Sequence, residues 1–149
     1  MSASVHIIPT VSGLQAAVNA KADGIALDIK YVAVGQGFQA IPVDDQSRTS
    51  LTLLKDQVAV LEVMNADDLG GGQWQVSVDL LTSGKNDWAC TEFALLDVNR
   101  QVIAIYGSAD QALLVVSDLL DHGYISIDLV LSAFPAASIN ILHSDLPIY

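Results

Sequence analysis

The side chains of this sequence that could do chemistry are few and widely spaced. Its one cysteine, Cys90, could act as a nucleophile if a histidine served as its base. The histidines are His6, His122 and His143. Cys90 lies in an apolar run, where free cysteine usually packs as a small hydrophobic residue. Because no nucleophile motif such as G-x-S-x-G is present either, we predict a buried thiol without a catalytic role.

Two carboxylates, Glu92 and Asp79, could serve as the acid pair of a glycosidase. Aromatic residues that stack on sugars are scarce, however, at 6% of the chain. Glu92 also interrupts an apolar run that predicts a buried strand, which favours a structural role. We expect Glu92 either to accept hydrogen bonds from backbone amides or to pair with Lys30 or Arg100. Both alternatives remain open from the sequence.

No recognised metal or phosphate motif is present. The histidines are scattered, and neither H-E-x-x-H nor C-x-x-C occurs. The acidic clusters lack calcium-loop spacing; they are Asp44-Asp45, Asp67-Asp68 and Asp118 with Asp121. The runs "GQG" (35–37) and "GGG" (70–72) lack a following G-K-[ST], so they predict turns. We therefore predict no metal and no cofactor.

The composition predicts one domain with a substantial core. The chain has 149 residues, of which 52% are apolar and 15% charged. Its net charge of -11, from 6 basic and 17 acidic residues, argues against a nucleic-acid partner. The apolar runs are too short to insert in a membrane, and the first residues do not resemble a signal peptide. A single cysteine fits a reducing compartment.

The apolar spacing predicts an α+β domain, in which one N-terminal helix is followed by a mostly antiparallel sheet of about six or seven strands. The helix is expected over 9–24, with Ser12 and Gln15 as a capping box and a stop at Asp23-Gly24. The predicted strands are 25–34, the second half of 51–63, 74–80, 89–96, 102–106, 124–131 and 138–142. Loops 36–48 and 65–73 are the expected contributors to any functional surface.

Three stretches, taken in order, resemble the phage tail-collar fibre family. Residues 9–37 resemble its opening helix and strand, with "AVGQG" (33–37) in place of an "ALGDG"-like turn. Residues 91–107, "TEFALLDVNRQVIAIYG", resemble the family's "REVGLFDADGDLIAVG" hairpin, although the corner 97–101 lacks the family's glycine. Residues 117–132, "SDLLDHGYISIDLVLS", are similar to its "SGKDLVVRMILEVS" strand. The matching signature residues are Gly35, Gly37, Glu92, Leu95 and Asp97.

The resemblance implies a structural protein rather than an enzyme. Residues 1–149 would be the domain that attaches a receptor-binding tail fibre to baseplate or collar proteins of a contractile tail, in a phage, a prophage or a related bacterial device. Such fibres are usually homotrimers. The resemblance places the protein in the virion tail, and in the bacterial cytoplasm before assembly. The 149 residues contain no fibre shaft and no receptor-binding tip, which fits either one domain of a longer fibre or a short separate component.

A carbohydrate-binding module that recognises a host surface glycan is the alternative function. β-Rich modules of this size are common, and Trp74 or Trp88 could stack on a sugar ring. Both tryptophans could equally be core residues. The position of each indole ring in the fold distinguishes these interpretations.

Overall fold

The computed structural model describes residues 2–44, 48–80, 87–116, 124–131, 134–135 and 138–142. Within them lie one helix, α1 (Val11–Ala22), and twelve strands. The strands are β1 (Ser2–His6), β2 (Ile8–Pro9), β3 (Leu27–Gly35), β4 (Gln57–Glu62), β5 (Asn65–Gly70), β6 (Gln73–Asp79), β7 (Trp88–Cys90), β8 (Glu92–Asp97), β9 (Val102–Gly107), β10 (Leu114–Val116), β11 (Tyr124–Val130) and β12 (Ile139–Ile141). The α+β class is confirmed. The structure has more strands than the six or seven expected, because strands of two or three residues are too short to give a recognisable pattern in the sequence.

The strands form two larger sheets and a two-stranded ribbon. The first sheet has the order β1-β11-β6-β5. The second has the order β12-β3-β8-β9-β2, with β4 also paired to β3, and β10 pairs with β7 in the ribbon. Only β1 with β11 and β12 with β3 run parallel among the pairs in the described residues, so the prediction of a mostly antiparallel fold is confirmed.

Helix α1 begins at a different cap from the one predicted. Thr10, not Ser12, is the N-cap, and its Oγ1 accepts a hydrogen bond of 2.9 Å from the Gly13 amide. The Thr10 hydroxyl also donates to the carbonyl of Val102, at 2.9 Å. The cap is therefore fixed by contact with β9, which no local spacing reveals. The predicted stop is confirmed: Asp23 is the C-cap and Gly24 follows with φ 77°.

One hydrophobic core includes residues from both larger sheets. Its buried side chains include Phe93 and Leu95 of β8, Val78 of β6 and Leu129 of β11. In the predicted strand 74–80, Val76, Val78 and Leu80 are buried, but Ser77 is buried as well, so the burial does not alternate. Trp74, at the start of the same stretch, is only half-buried. The two larger sheets are therefore held together by the side chains that their strands direct into this core.

The second sheet is covered on its other face as well. A smaller core cluster contains Ala33, Ala94, Leu96 and Ile105, with Leu54 packed among them. Leu54 belongs to the segment between β3 and β4, which we call the cover segment; its described residues are 36–44 and 48–56. The spacing of Ile25, Leu27, Ile29 and Tyr31 in the sequence predicts that they form one apolar face of β3. That prediction is wrong: Ile25 precedes the strand and is exposed, and β3 is buried on both faces, so its burial does not alternate.

The β8–β9 hairpin turns at the predicted corner, 97–101. The Asp97 amide donates to the Gln101 carbonyl at 3.1 Å, and Asp97 Oδ1 accepts hydrogen bonds of 2.9 Å from the amides of Asn99 and Gln101. Arg100 has φ 63°, a left-handed conformation that favours glycine. Its guanidinium lies 4.8 Å from the centre of the Tyr31 ring, an attraction that favours the side chain actually present.

We expect Arg100→Gly to be more stable than Arg100→Ala by about 1 kcal/mol, because left-handed backbone costs non-glycine residues roughly 1–2 kcal/mol. Both substitutions remove the guanidinium, so the difference between their free energies of unfolding reports the cost of the left-handed backbone alone. Urea denaturation measures it. Asn99, whose φ is not positive, is the matched control, and there alanine should be the more stable replacement. Equal stability of the two Arg100 variants would contradict this account of the turn.

Candidate functional site

Glu92 is the buried charge around which the cover segment is arranged. Its side chain is 1% exposed, at the first position of β8. Oε2 accepts hydrogen bonds from the amides of Gly37, at 2.9 Å, and Asp56, at 2.8 Å. Oε1 accepts one from the amide of Lys55, at 2.8 Å. Three backbone donors therefore satisfy the carboxylate where water does not reach it.

Two glycines let the backbone approach this carboxylate. A Cβ atom on Gly37 would lie 2.7 Å from the Lys55 Cβ and 2.8 Å from Glu92 Oε2. One on Gly35 would lie 2.7 Å from the Asp56 carbonyl oxygen. Real Cβ atoms do not approach other atoms this closely, so only glycine fits without a shift of the backbone. Gly35, Gly37 and Glu92, which the sequence separates widely, thus form one contact.

Neighbouring polar contacts close the same site. The Thr91 hydroxyl donates to the Gly37 carbonyl at 2.6 Å, and the Thr91 amide donates to the Gly35 carbonyl at 3.0 Å. The Gln36 amide donates to the Asp56 carbonyl, also at 3.0 Å. The beginning and the end of the cover segment are therefore joined to each other and to β8. We call Gly35, Gly37, Lys55, Asp56 and Glu92 together the carboxylate clamp.

Of the two alternatives for Glu92, hydrogen bonding to backbone amides is confirmed. The cations that were candidates for an ion pair lie elsewhere. Lys30 Nζ is 3.9 Å from Glu62 Oε1, and Arg100 lies over Tyr31. The amides of Lys55 and Asp56 were not predicted, because a backbone donor is common to almost every residue type. The glycines at 35 and 37 were the available signal, since they allow a close approach.

The other two signature residues have separate roles. Leu95 is buried in the main core, and its Cα pairs with that of Val32 across β3 and β8. Asp97 caps the corner of the β8–β9 hairpin through its two amide contacts. Neither belongs to the carboxylate clamp. The structure therefore brings three of the five signature residues together and places the remaining two further along the same strand.

Cys90 is a core residue, as predicted. Its side chain is buried, and its thiol donates to the Glu92 carbonyl at 3.8 Å. Burial raises the pKa of Cys90 to about 12, and the negative charge of Glu92 adds to this effect. A thiol in this position stays protonated at neutral pH. His122 and His143, two candidate bases, lie outside the described residues.

The two carboxylates considered as an acid pair, Glu92 and Asp79, lie in different sheets. Glu92 is already bound to three amides, and Asp79 lies on β6, in the other larger sheet. No group of three or more histidine, cysteine or acidic side chains could hold a metal among the described residues. Of the acidic clusters, Asp45, Asp118 and Asp121 lie outside those residues.

The two tryptophans have different surroundings. Trp88 is 4% exposed and belongs to the main core. Trp74 is half-buried and lines a cavity of about 410 Å³ beside the turn 70–72 between β5 and β6. The three glycines of that turn all have positive φ, which confirms the predicted turn. Trp74 is consequently the tryptophan of the two that a ligand could reach.

Helix α1 has twelve residues, and no helix in the described residues is long and apolar enough to cross a membrane.

We expect Glu92→Gln to lower the free energy of unfolding by about 2–3 kcal/mol, because an amide nitrogen would replace one acceptor and leave a buried N–H unpaired. Urea denaturation at neutral pH measures the change. Glu62→Gln is the control: this exposed side chain faces Lys30 at 3.9 Å, and its loss should cost at most about 0.5 kcal/mol. Similar values for the two variants would show that the clamp contributes little to stability.

We expect iodoacetamide to leave Cys90 unlabelled in the folded protein at pH 9, where a thiol of ordinary pKa 9.0 is half ionised. Mass spectrometry detects the label, and the urea-unfolded chain is the control that should react fully. Because folding raises this pKa, the thiol's contribution to stability is full below pH 9 and decreases as the pH rises toward 12. Rapid labelling of the folded chain would contradict the observed burial.

No model of a protein family, no curated protein sequence and no solved structure matches the chain. The resemblance to tail-collar fibres therefore depends on the motifs at 9–37, 91–107 and 117–132, and it stays a prediction.

Proposed function

We propose that this chain is a structural component of a phage or phage-derived contractile tail: the domain that attaches a receptor-binding fibre to baseplate or collar proteins. The carboxylate clamp carries the proposal. Three residues that the tail-collar resemblance selects, Gly35, Gly37 and Glu92, depend on one another physically. A chance resemblance gives no reason for motif residues from two distant stretches to meet in one buried contact.

The hairpin corner gives further support. Arg100 stands where the family motif has glycine, and it adopts φ 63°, a conformation that glycine reaches without strain. Although Arg100 differs in residue type from the family's glycine, its backbone adopts a conformation that glycine permits. Asp97, another signature residue, fixes this corner through hydrogen bonds to the amides of Asn99 and Gln101.

The burial of the reactive candidates favours a structural role. Cys90 is buried as a protonated thiol, and Glu92 is bound to backbone amides. Both side chains are buried and stabilise the fold. A catalytic side chain would instead have to be accessible to a substrate. Rigid attachment to a tail needs a stable scaffold and a contact surface, and it needs no reactive group.

The cover segment offers a contact surface for that role. Three of its apolar side chains are exposed: Phe38 by 45%, Val43 by 51% and Leu53 by 74%. The carboxylate clamp fixes both ends of the segment to the second sheet. We propose that this segment contacts a tail protein or another copy of the chain, in a homotrimer as the resemblance implies. Exposed apolar side chains on a fixed backbone suit such an interface.

The alternative function, a carbohydrate-binding module for a host glycan, now depends on Trp74. Trp88 is buried in the core and is not available to a sugar. Trp74 lines a cavity and is half-buried, so this single observation keeps glycan recognition in consideration. A cavity with one accessible indole is weaker support for the whole function than the clamp is for attachment.

We expect immunogold electron microscopy of tails purified from the source strain to place this domain at the baseplate or collar. An antibody to residues 1–149 supplies the label, and immunoblotting of the same particles confirms the chain. Label-free tails, with the protein remaining in the lysate, would contradict the attachment role.

A pair of variants makes the same experiment specific for the cover segment. Leu53→Asp should reduce incorporation into tails, because it places a charge in the proposed contact. Val98→Asp, at an exposed apolar residue of the β8–β9 corner, should leave incorporation unchanged. Equal incorporation of the two variants would place the contact elsewhere on the domain.

A further inference from the structure

We propose that the cavity beside the β5–β6 turn binds a neutral sugar ring. The cavity has a volume of about 410 Å³, which lies in the roughly 300–1,000 Å³ range of small-molecule sites. Its apolar wall is formed by Trp74, Leu131, Phe134, Pro135 and Ile139. Its polar groups come from Asp68, Ser138 and the backbone of residues 70–72. A mostly apolar wall with a few polar groups is the usual composition of such sites.

Trp74 and Asp68 face the cavity from neighbouring strands. Their Cα atoms are register partners in the β5–β6 pair, so both side chains lie on the same face of the sheet. Trp74 is half-buried and Asp68 is exposed. An indole beside a carboxylate can contact the apolar face of a sugar ring and accept hydrogen bonds from its hydroxyl groups.

Open space at the turn keeps this approach clear. A Cβ atom on Gly70 or Gly71 would meet no atom within 4 Å, so the turn presents bare backbone next to the indole. The Gly70 amide donates to Asp68 Oδ1 at 2.9 Å, which fixes that carboxylate at the cavity. The second carboxylate oxygen is then the acceptor available to a ligand.

Ser138 supplies the observation that points to a ligand. Its side chain is fully buried, and its Oγ has no hydrogen-bond partner among the described residues. A buried hydroxyl without a partner costs free energy, so native structures usually provide one. Ser138 is one of the residues around the cavity, so a molecule bound there is the candidate partner for its hydroxyl.

These groups together select the ligand class. Asp68 only accepts hydrogen bonds, whereas a serine hydroxyl can also donate, so the ligand must offer both donors and acceptors around an apolar surface. A pyranose ring has both. A quaternary ammonium ion could lie over the indole but could not accept a hydrogen bond from Ser138. An anionic sugar would be repelled by Asp68 and by the net charge of -11.

The site is independent of the attachment role. The cavity lies by the β5–β6 turn of the first sheet, whereas the cover segment lies against the second sheet. A domain that attaches a fibre could carry this site or lack it, so each proposal can fail without the other.

Saturation-transfer NMR on the whole chain tests the proposal with methyl glycosides of glucose, galactose, mannose and N-acetylglucosamine at millimolar concentration. We expect saturation of ring protons for at least one of them. N-acetylneuraminic acid and tetramethylammonium, the anionic and cationic probes, should show none. No transfer to any neutral glycoside, or transfer to tetramethylammonium alone, would overturn the proposal.

Three variants place any binding in the cavity. Trp74→Ala should weaken it at least tenfold. Ser138→Ala should weaken it by roughly tenfold while the urea midpoint stays the same or rises, because a buried hydroxyl without a partner is removed. Leu69→Ala changes an exposed residue of β5 and should leave affinity unchanged. Full affinity of a folded Ser138→Ala variant would overturn the assignment even if Trp74→Ala failed to fold.

Discussion

The carboxylate of Glu92 determines how the segment between β3 and β4 can lie. A carboxylate with 1% exposure needs compensation, and the amides of Gly37, Lys55 and Asp56 provide it. These donors come from the two ends of the cover segment, so satisfying the charge also closes the loop. Closing a loop of this length costs conformational entropy, which three hydrogen bonds to a charged group can offset.

The second sheet depends on this closure for its outer face. Ala33, Ala94, Leu96 and Ile105 would face solvent if the cover segment did not hold Leu54 against them. With the segment in place, β3 and β8 are buried on both faces and behave as central strands of a layered domain. The buried charge and the second core cluster are thus two parts of one arrangement, because the clamp fixes the segment that covers the cluster.

The functional proposals follow from what the fold buries and what it leaves accessible. Three residues whose types suggest catalysis or ligand stacking are buried: Cys90, Glu92 and Trp88. The accessible features lie at two other places: the apolar side chains of the cover segment and the cavity lined by Trp74 and Ser138. The first suits contact with another protein, and the second suits a small polar molecule with an apolar face.

The sequence by itself determined the fold class, the helix with its stop at Gly24, the strand over 74–80 and the corner at 97–101, since each depends on local spacing or turn chemistry. It also indicated that Glu92 required a partner. Only the tertiary structure decided that backbone amides, rather than Lys30 or Arg100, supply it, and that Thr10 rather than Ser12 caps α1. Both choices depend on contacts between residues distant in the chain, and a backbone N–H leaves no mark in the residue type that carries it.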